Sequence, residues 1–162
     1  MMLSYESIKA FLYAEARAQA EKRWDDWLAC YADDASFWMP SWDDDDRLTT
    51  DPHREVSLIY YPDKRGLEDR VFRIETDRSS ATTPDTRYNR AITNIEVLSQ
   101  DGTTVEVCYN WTTHSFRYDI VDVYFGTARV RLDISGEKPL IKEKYVVLKN
   151  DYVHHVLDVY FV

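Results

Sequence analysis

The side chains of this sequence best suited to binding a transition metal are four histidines, His53, His114, His154 and His155. A mononuclear iron site of the common kind takes two histidines and one carboxylate, and Asp151 or Asp158 could supply the carboxylate near the second pair. Adjacent residues of an extended segment point to opposite faces, so His154 and His155 are poorly placed to share one ion. We therefore predict surface or interface histidines and no metal site.

The two cysteines, Cys30 and Cys108, do not have the spacing of metal ligands. A Rieske iron–sulfur cluster needs two cysteines and two histidines in paired short motifs, and neither thiol has a histidine at such a spacing. The sequence also lacks a Gly-x-Ser-x-Gly elbow and a glycine-rich phosphate loop. Both thiols lie among apolar residues, so we predict that they are buried and free. We predict no catalytic residue of these kinds.

Acid–base chemistry inside an apolar pocket is the catalytic alternative that the residue types leave open. A carboxyl or phenol group in such a pocket can act as an acid or base at a raised pKa. The candidate pocket residues are Tyr31, Asp34, Asp122 and Tyr124. We favour the other interpretation, in which Asp33 and Asp34 end a helix in solvent and the tyrosines pack in the core.

Charge and length limit the class of protein. The chain has 162 residues and a net charge of −9 with basic residues interleaved among acids, which argues against a nucleic-acid partner. No apolar run approaches the roughly 20 residues of a membrane-spanning helix, and the first ten residues do not have the pattern of an export signal. We expect a single cytoplasmic domain over residues 1–162 with no membrane partner. The 12 tyrosines and 5 tryptophans suggest protein interfaces.

The first half of the chain is predicted to be mostly helical. Apolar residues recur with the helical period over residues 4–22, 24–31 and 67–74. An aspartate–proline pair predicts the start of a further helix over residues 51–60. The segment over residues 77–86 is rich in polar residues and reads as a loop.

In the second half of the chain, apolar residues recur at every second position. Strands are predicted over residues 88–98, 103–116 and 124–134, and a last long strand continues through residue 148. Asp101-Gly102 and Ser135-Gly136 predict the turns between them. Helices followed by a meander of four long antiparallel strands predict an α+β fold, in which a curved sheet wraps the early helices.

Six stretches of the chain resemble the small subunit of benzoate and toluate dioxygenases, which are aromatic-ring-hydroxylating enzymes. They are FWMPSWDD at 37–44, SLIYYP at 57–62, GLEDRV at 66–71, RSSAT at 78–82, PDTR at 84–87 and KYVVLKND at 144–151. The resemblance implies a cystatin-like cone, shared with scytalone dehydratase and ketosteroid isomerase. Fold alone does not transfer their activity, so a standalone cone enzyme remains the alternative.

The same resemblance implies the cofactors and partners. In this family the Rieske [2Fe–2S] cluster and the mononuclear iron belong to the large subunit, and none belongs to the small one. Three small subunits are expected beneath three large ones, in an α3β3 assembly that takes electrons from NADH through a separate reductase. The assembly adds both atoms of dioxygen to an aromatic acid and forms a cis-dihydrodiol. Benzoate, toluate, a halobenzoate and anthranilate all remain possible substrates.

We predict that subunit contacts use aromatic residues, the acidic run at 43–46 and the arginine-containing loop at 78–87. A large obligate interface is apolar and aromatic at its centre, and arginine–carboxylate pairs suit its polar part. Two interpretations of Arg78 and Arg87 stay open: they bind acids across an interface or within their own chain. Positions 43–46 lack the glycine and distal glutamate of a calcium loop. The predicted interface residues are Trp42, Asp43, Asp44, Arg78, Ser79, Ser80, Asp85, Arg87, Tyr152 and Tyr160.

Overall fold

The computed structural model describes residues 2–76 and 85–150, together with Val159 and Val162. In chain order its elements are α1 (Tyr5–Ala20), α2 (Trp24–Leu28), β1 (Tyr31–Pro40), β2 (Ser57–Tyr61), α3 (Lys64–Thr76), β3 (Arg87–Gln100), β4 (Thr104–Arg117), β5 (Ile120–Asp133) and β6 (Leu140–Leu148). Of the helices in these ranges, none combines the length and apolar character that crossing a membrane requires.

The first two helices follow the sequence pattern. The Ser4 hydroxyl caps α1 by accepting a hydrogen bond from the Ser7 amide at 3.1 Å. The predicted apolar stripe, which includes Ile8 and Leu12, is buried. In α2 the Trp24 and Trp27 indoles are buried on one face, as predicted, with their ring centroids 5.8 Å apart. These helices therefore present a wide apolar surface to the sheet.

The predicted helix over residues 51–60 is wrong. The chain makes one turn after Asp51, where the Glu55 amide donates to the Asp51 carbonyl at 2.9 Å, and then enters β2. In β2 the Ile59 side chain is buried, and the strand pairs antiparallel with β1. A short run of β-branched and aromatic residues is compatible with both the helical period and the strand period of two. Pairing with β1 stabilises the strand.

The interpretation of Asp33 and Asp34 is half right. Both carboxylates are exposed, as predicted, but they lie inside β1 rather than at the end of a helix. Asp34 accepts a hydrogen bond from Lys142 of β6, and the Lys64 ammonium lies 4.0 Å from an Asp33 oxygen. The helix was expected to continue too far because Tyr31 keeps the helical spacing of the tryptophans before it.

One six-stranded sheet runs in the order β2-β1-β6-β5-β4-β3. It contains the four predicted long antiparallel strands, β3 to β6. The turn before β4 is stabilised by Asp101, whose carboxylate accepts from the Thr103 and Thr104 amides at 2.8 Å each. The sequence did not indicate the parallel pairing of β1 with β6, because the two strands come from opposite ends of the chain.

The core lies between the inner face of the sheet and the helices. Alternate residues of β4 are buried, as predicted from the period of two: Val105, Val107, Tyr109 and Trp111. They pack in one cluster with the apolar faces of α1 and α2. Val159 and Val162 belong to the same cluster. The architecture is the predicted α+β one, with helices on the inner face of a curved sheet.

Candidate subunit interface and the interior of the cone

A buried ion pair occupies the space between α1 and the sheet. Glu15 of α1 and Lys144 of β6 have 1% and 2% of their side-chain surface exposed, and the ammonium nitrogen lies 3.0 Å from Glu15 Oε1. The same oxygen accepts hydrogen bonds from the Trp27 indole at 2.8 Å and the Tyr31 hydroxyl at 2.9 Å. Three donors from three elements therefore converge on one carboxylate oxygen.

The charges of this cluster are matched internally. Burial would raise the pKa of Glu15, but the positive charges of Lys144 and Arg90 and the hydrogen bonds hold it below its ordinary value. Burial and the neighbouring Glu15 raise the pKa of Tyr31 well above its ordinary value. The carboxylate is therefore ionised and the phenol protonated, and both are engaged in holding the helices to the sheet.

The four candidate residues of the alternative acid–base pocket do not converge. Tyr31 lies opposite Ile141 at one end of the sheet, and Ile141 pairs with Leu132 of β5. Tyr124 is eight positions before Leu132 on the same strand, which corresponds to about 26 Å of extended chain. Tyr31 and Tyr124 are both buried, as the packing interpretation predicts.

The two carboxylates of that proposed pocket also lie apart from the buried cluster. Asp34 is exposed on β1, where Lys142 lowers its pKa through a hydrogen bond. Asp122 is half-buried near the beginning of β5 and pairs in register with Ser115. The geometry therefore gives no support to a shared acid–base site.

The potential metal ligands do not form a cluster in the described ranges. No group of three or more histidine, cysteine, aspartate and glutamate side chains there could hold a metal ion. His53 packs edge-on against Tyr60, with ring centroids 5.7 Å apart, and His114 is exposed on β4. His154 and His155 lie outside the described residues.

The two thiols are free, as predicted, but half-buried rather than fully buried. Burial raises the pKa of Cys30 to about 11, and burial together with Glu96 raises the pKa of Cys108. Among the described residues neither thiol belongs to a group of three or more potential metal ligands, so the two cysteines do not form the ligand set of an iron–sulfur cluster.

Three of the predicted interface residues follow β1. Trp42 is 43% exposed, and its indole nitrogen donates to the Leu148 carbonyl at 2.7 Å. The Asp43 carboxylate accepts from the amides of Asp45 and Arg47 at 2.9 Å each, so it shapes its own loop. Asp44 is exposed. The loop is thus anchored to the end of β6 and presents its indole and acidic groups to solvent.

Asp85 and Arg87 lie at the beginning of β3. Asp85 forms an ion pair with Lys22 at 2.5 Å, so its carboxylate has a partner in its own chain. The Arg87 guanidinium lies over the Phe116 ring, 5.8 Å from its centroid. The remaining predicted interface residues lie outside the described residues: Arg78, Ser79, Ser80, Tyr152 and Tyr160. Their role at a subunit contact stays a prediction.

The family assignment comes from comparison with known proteins. The profile of the ring hydroxylating beta subunit matches residues 14–155. The chain belongs to this family. Membership agrees with the resemblance found in the sequence, and makes the chain a subunit of a multicomponent oxygenase rather than a standalone enzyme.

Two relatives align with nearly the entire chain of this beta subunit. The benzoate 1,2-dioxygenase subunit beta of Acinetobacter baylyi is 59% identical, over 99% of this chain and 95% of the relative. The toluate 1,2-dioxygenase subunit beta of Pseudomonas putida is 55% identical over 100% of both chains. The similarity therefore extends over nearly the whole length of both relatives.

Solved structures place the beta subunit in the predicted fold. The beta subunit of the benzoate 1,2-dioxygenase from Burkholderia mallei matches with a TM-score of 0.87 and 51% identity, over 100% of this chain and 99% of that one. A Novosphingobium aromaticivorans protein classed with scytalone dehydratase matches with a TM-score of 0.69 and 8% identity, over 93% and 89%. The second match shows the fold alone, and it confirms the predicted cone architecture.

Sequence reasoning missed the buried cluster of this beta subunit, although the sequence carries a signal for it. Glu15 follows Ile8 and Leu12 at helical spacing, so it lies on the apolar stripe of α1. Lys144 alternates with the buried Val146 and Leu148 on β6. An acidic residue on the buried face of α1 and a basic residue on the buried face of β6 predict an internal ion pair, because an unpaired charge is not tolerated in the core.

Proposed function

We propose that this chain is the non-catalytic small subunit of a Rieske non-haem iron dioxygenase that converts benzoate-like aromatic acids to cis-dihydrodiols. The observation that carries the proposal is near full-length similarity to the beta subunits of two aromatic-acid 1,2-dioxygenases. Tyr31 is buried and hydrogen-bonded to Glu15, and Asp34 is exposed and paired with Lys142. The acid and base candidates do not converge on one pocket, so the standalone dehydratase or isomerase alternative gains no support from the geometry.

The proposal assigns the iron centres to the large subunit. The described histidines and cysteines of this chain are dispersed, and no three potential ligands among the described residues come together, so these residues do not fit a Rieske cluster or a mononuclear iron. The large subunit would bind the Rieske [2Fe–2S] cluster and the iron, and a separate reductase would pass electrons from NADH. We place the assembly in the cytoplasm, where NADH is available.

The contribution of the small subunit is then mechanical. A sheet wrapped on helices and fastened by a buried ion pair is a rigid support, and a rigid support can fix the distance between large subunits. We propose an α3β3 assembly, in which three small subunits form the base for three large ones. Such closed cyclic symmetry is the usual arrangement of stable oligomers.

Reconstitution tests this function. The chain is purified alone and co-expressed with the large subunit of a benzoate dioxygenase, and oxygen uptake is measured with benzoate, NADH and a reductase. We expect iron and activity only in the equimolar complex. A chain that never joins a large subunit, or that transforms a substrate without it, would contradict the proposal.

A further inference from the structure

The outer face of the sheet carries an exposed apolar cluster at the β4–β5 hairpin. It consists of Phe116, Val121, Val123 and Phe125, here called the hairpin patch. These side chains are 37%, 59%, 43% and 45% exposed, respectively. Single exposed apolar residues are normal, but a contiguous group on a rigid surface is typical of a protein interface.

The strand register places these residues side by side. Phe116 pairs with Val121, while Val123 and Phe125 follow at alternate positions of β5. The intervening Tyr124 points inward and is buried. Since alternate residues of a strand share one face, the patch is continuous along the outer side of the hairpin.

The hairpin holds the patch in one conformation. Its two turn residues, Tyr118 and Asp119, have φ values of 53° and 61°, and the flanking Arg117 and Ile120 are paired. Such a tight turn matches the right-handed twist of paired strands, so the two strands remain in register to their ends. A partner would therefore meet a surface that is already formed, at low conformational cost.

The Trp42 loop, defined as residues 42–46, lies near this patch on the same molecule. Its indole donates to the Leu148 carbonyl, and Leu148 pairs with Gly126, the residue after Phe125. Trp42 is 43% exposed, so the loop adds a second aromatic surface at this end of the sheet. The two surfaces are therefore close neighbours on the molecule.

A basic side chain lies beside one of the two surfaces and acidic side chains lie on the other, and neither has an ion-pair partner among the described residues. Arg87 covers Phe116 at the rim of the hairpin patch, and no acidic side chain among the described residues pairs with it. Within the same described ranges, the exposed carboxylates of Asp44 and Asp45 on the Trp42 loop have neither a hydrogen bond nor an ion pair. One molecule thus presents both halves of a complementary contact.

We propose that the hairpin patch of one copy of this chain receives the Trp42 loop of a second copy, with Arg87 facing Asp44 and Asp45. The contact is head-to-tail, and such a contact can close a ring, which has three copies in the proposed α3β3 assembly. The inference rests on the proposed function, since it names the surface that joins the small subunits of the α3β3 assembly. Charge complementarity favours a second copy as the occupant, because this net acidic chain carries both charges itself.

A charge at the centre of the patch tests the apolar part. We expect Val123→Glu to convert the purified chain from a trimer to a monomer, measured by sedimentation or light scattering, because the carboxylate would be buried in the contact. Phe72→Glu on α3 is the matched control, since Phe72 is 67% exposed and α3 packs against α2, β1 and β2 rather than the β4–β5 hairpin, and the mass of this variant should not change. Circular dichroism verifies that both variants are folded.

A charge swap tests the partner. Arg87→Asp alone, or Asp44→Arg with Asp45→Arg, should each weaken the trimer at least about tenfold by placing like charges together. The triple variant, with all three substitutions in one chain, restores opposite charges at every contact and should regain the trimer. Lys138→Asp, at an exposed position in the β5–β6 turn, is the control for net charge.

Each outcome of these experiments decides the inference. Dissociation by the separate variants and recovery in the triple variant support it. An unmodified chain that is monomeric, unchanged masses, or a triple variant that stays dissociated would overturn it. Variants that remain trimeric but lose the co-expressed large subunit would assign the patch to that subunit instead. Failure of the unmodified chain to bind a large subunit would contradict the proposed function and leave the self-association result standing.

Discussion

At the residue scale, the Glu15–Lys144 pair is a costly feature of the described interior. Each charge loses its hydration on folding, and the pair is tolerated because Trp27 and Tyr31 add hydrogen bonds to the same carboxylate. Removal of one partner leaves the other charge buried and uncompensated. Removal of both charges, with the acceptor oxygen kept, avoids that penalty.

We predict that Lys144→Met lowers the free energy of unfolding by about 3–5 kcal/mol. Adding Glu15→Gln to this variant should recover most of the loss, because the amide oxygen still accepts from Trp27 and Tyr31. Lys142→Met is the matched control on the same strand; its exposed pair with Asp34 predicts a loss below about 1 kcal/mol. Urea unfolding measures all three, and equal losses at Lys142 and Lys144 would contradict the role of burial.

The same pair predicts how stability depends on pH. Although burial opposes ionisation, the folded pKa of Glu15 lies below its ordinary value. Glu15 therefore stabilises the fold above its unfolded pKa of about 4.3, and this contribution is lost as the pH falls through the lower folded value. We expect the urea midpoint to fall more steeply between about pH 5 and 3 for the unmodified chain than for Glu15→Gln. Parallel pH profiles would show that Glu15 does not carry this dependence.

At the element scale, the close approach of β5 and β6 depends on one glycine. A Cβ atom at Gly126 would lie 1.8 Å from the Val147 carbonyl oxygen and 2.9 Å from its carbon. Both are backbone atoms of β6, so a side chain could be accommodated only by separating the strands. Gly102, in the turn between β3 and β4, has no atom within 4 Å of such a Cβ.

Gly126→Ala is therefore expected to lower the free energy of unfolding by about 3 kcal/mol or more, while Gly102→Ala changes it by less than about 0.5 kcal/mol. Hydrogen exchange should locate the loss in β6, whose amides bond to β5. Comparable effects of the two substitutions would show that the strand spacing relaxes more easily than this packing indicates.

At the scale of the whole molecule, the end of the chain contributes to the core. Val159 and Val162 are buried, and the Val159 carbonyl accepts a hydrogen bond from Gln19 of α1 at 2.5 Å. The sequence analysis also placed Tyr152 and Tyr160 of this last segment at a subunit interface, so we expect its removal to impair assembly. A truncation that includes both valines would also destabilise the single chain, and the two effects need separate variants.

We predict that deletion of residues 159–162 lowers the free energy of unfolding by about 3 kcal/mol or more, because two buried valine side chains are lost. Tyr152→Ser and Tyr160→Ser, at the predicted interface positions, should instead weaken assembly with the large subunit and leave the unfolding of the chain unchanged. Urea unfolding and co-purification distinguish these results. Normal assembly of both tyrosine variants would remove these residues from the predicted interface.

Local patterns in the sequence determined α1, α2, α3 and the four long strands β3 to β6, because periods of 3.6 and two depend only on neighbouring residues. The motifs also indicated the family. Only the tertiary structure decided the parallel pairing of β1 with β6 and the partnership of Glu15 with Lys144. Each joins residues that lie far apart in the sequence, and the local period of a segment does not specify which distant segment it will meet.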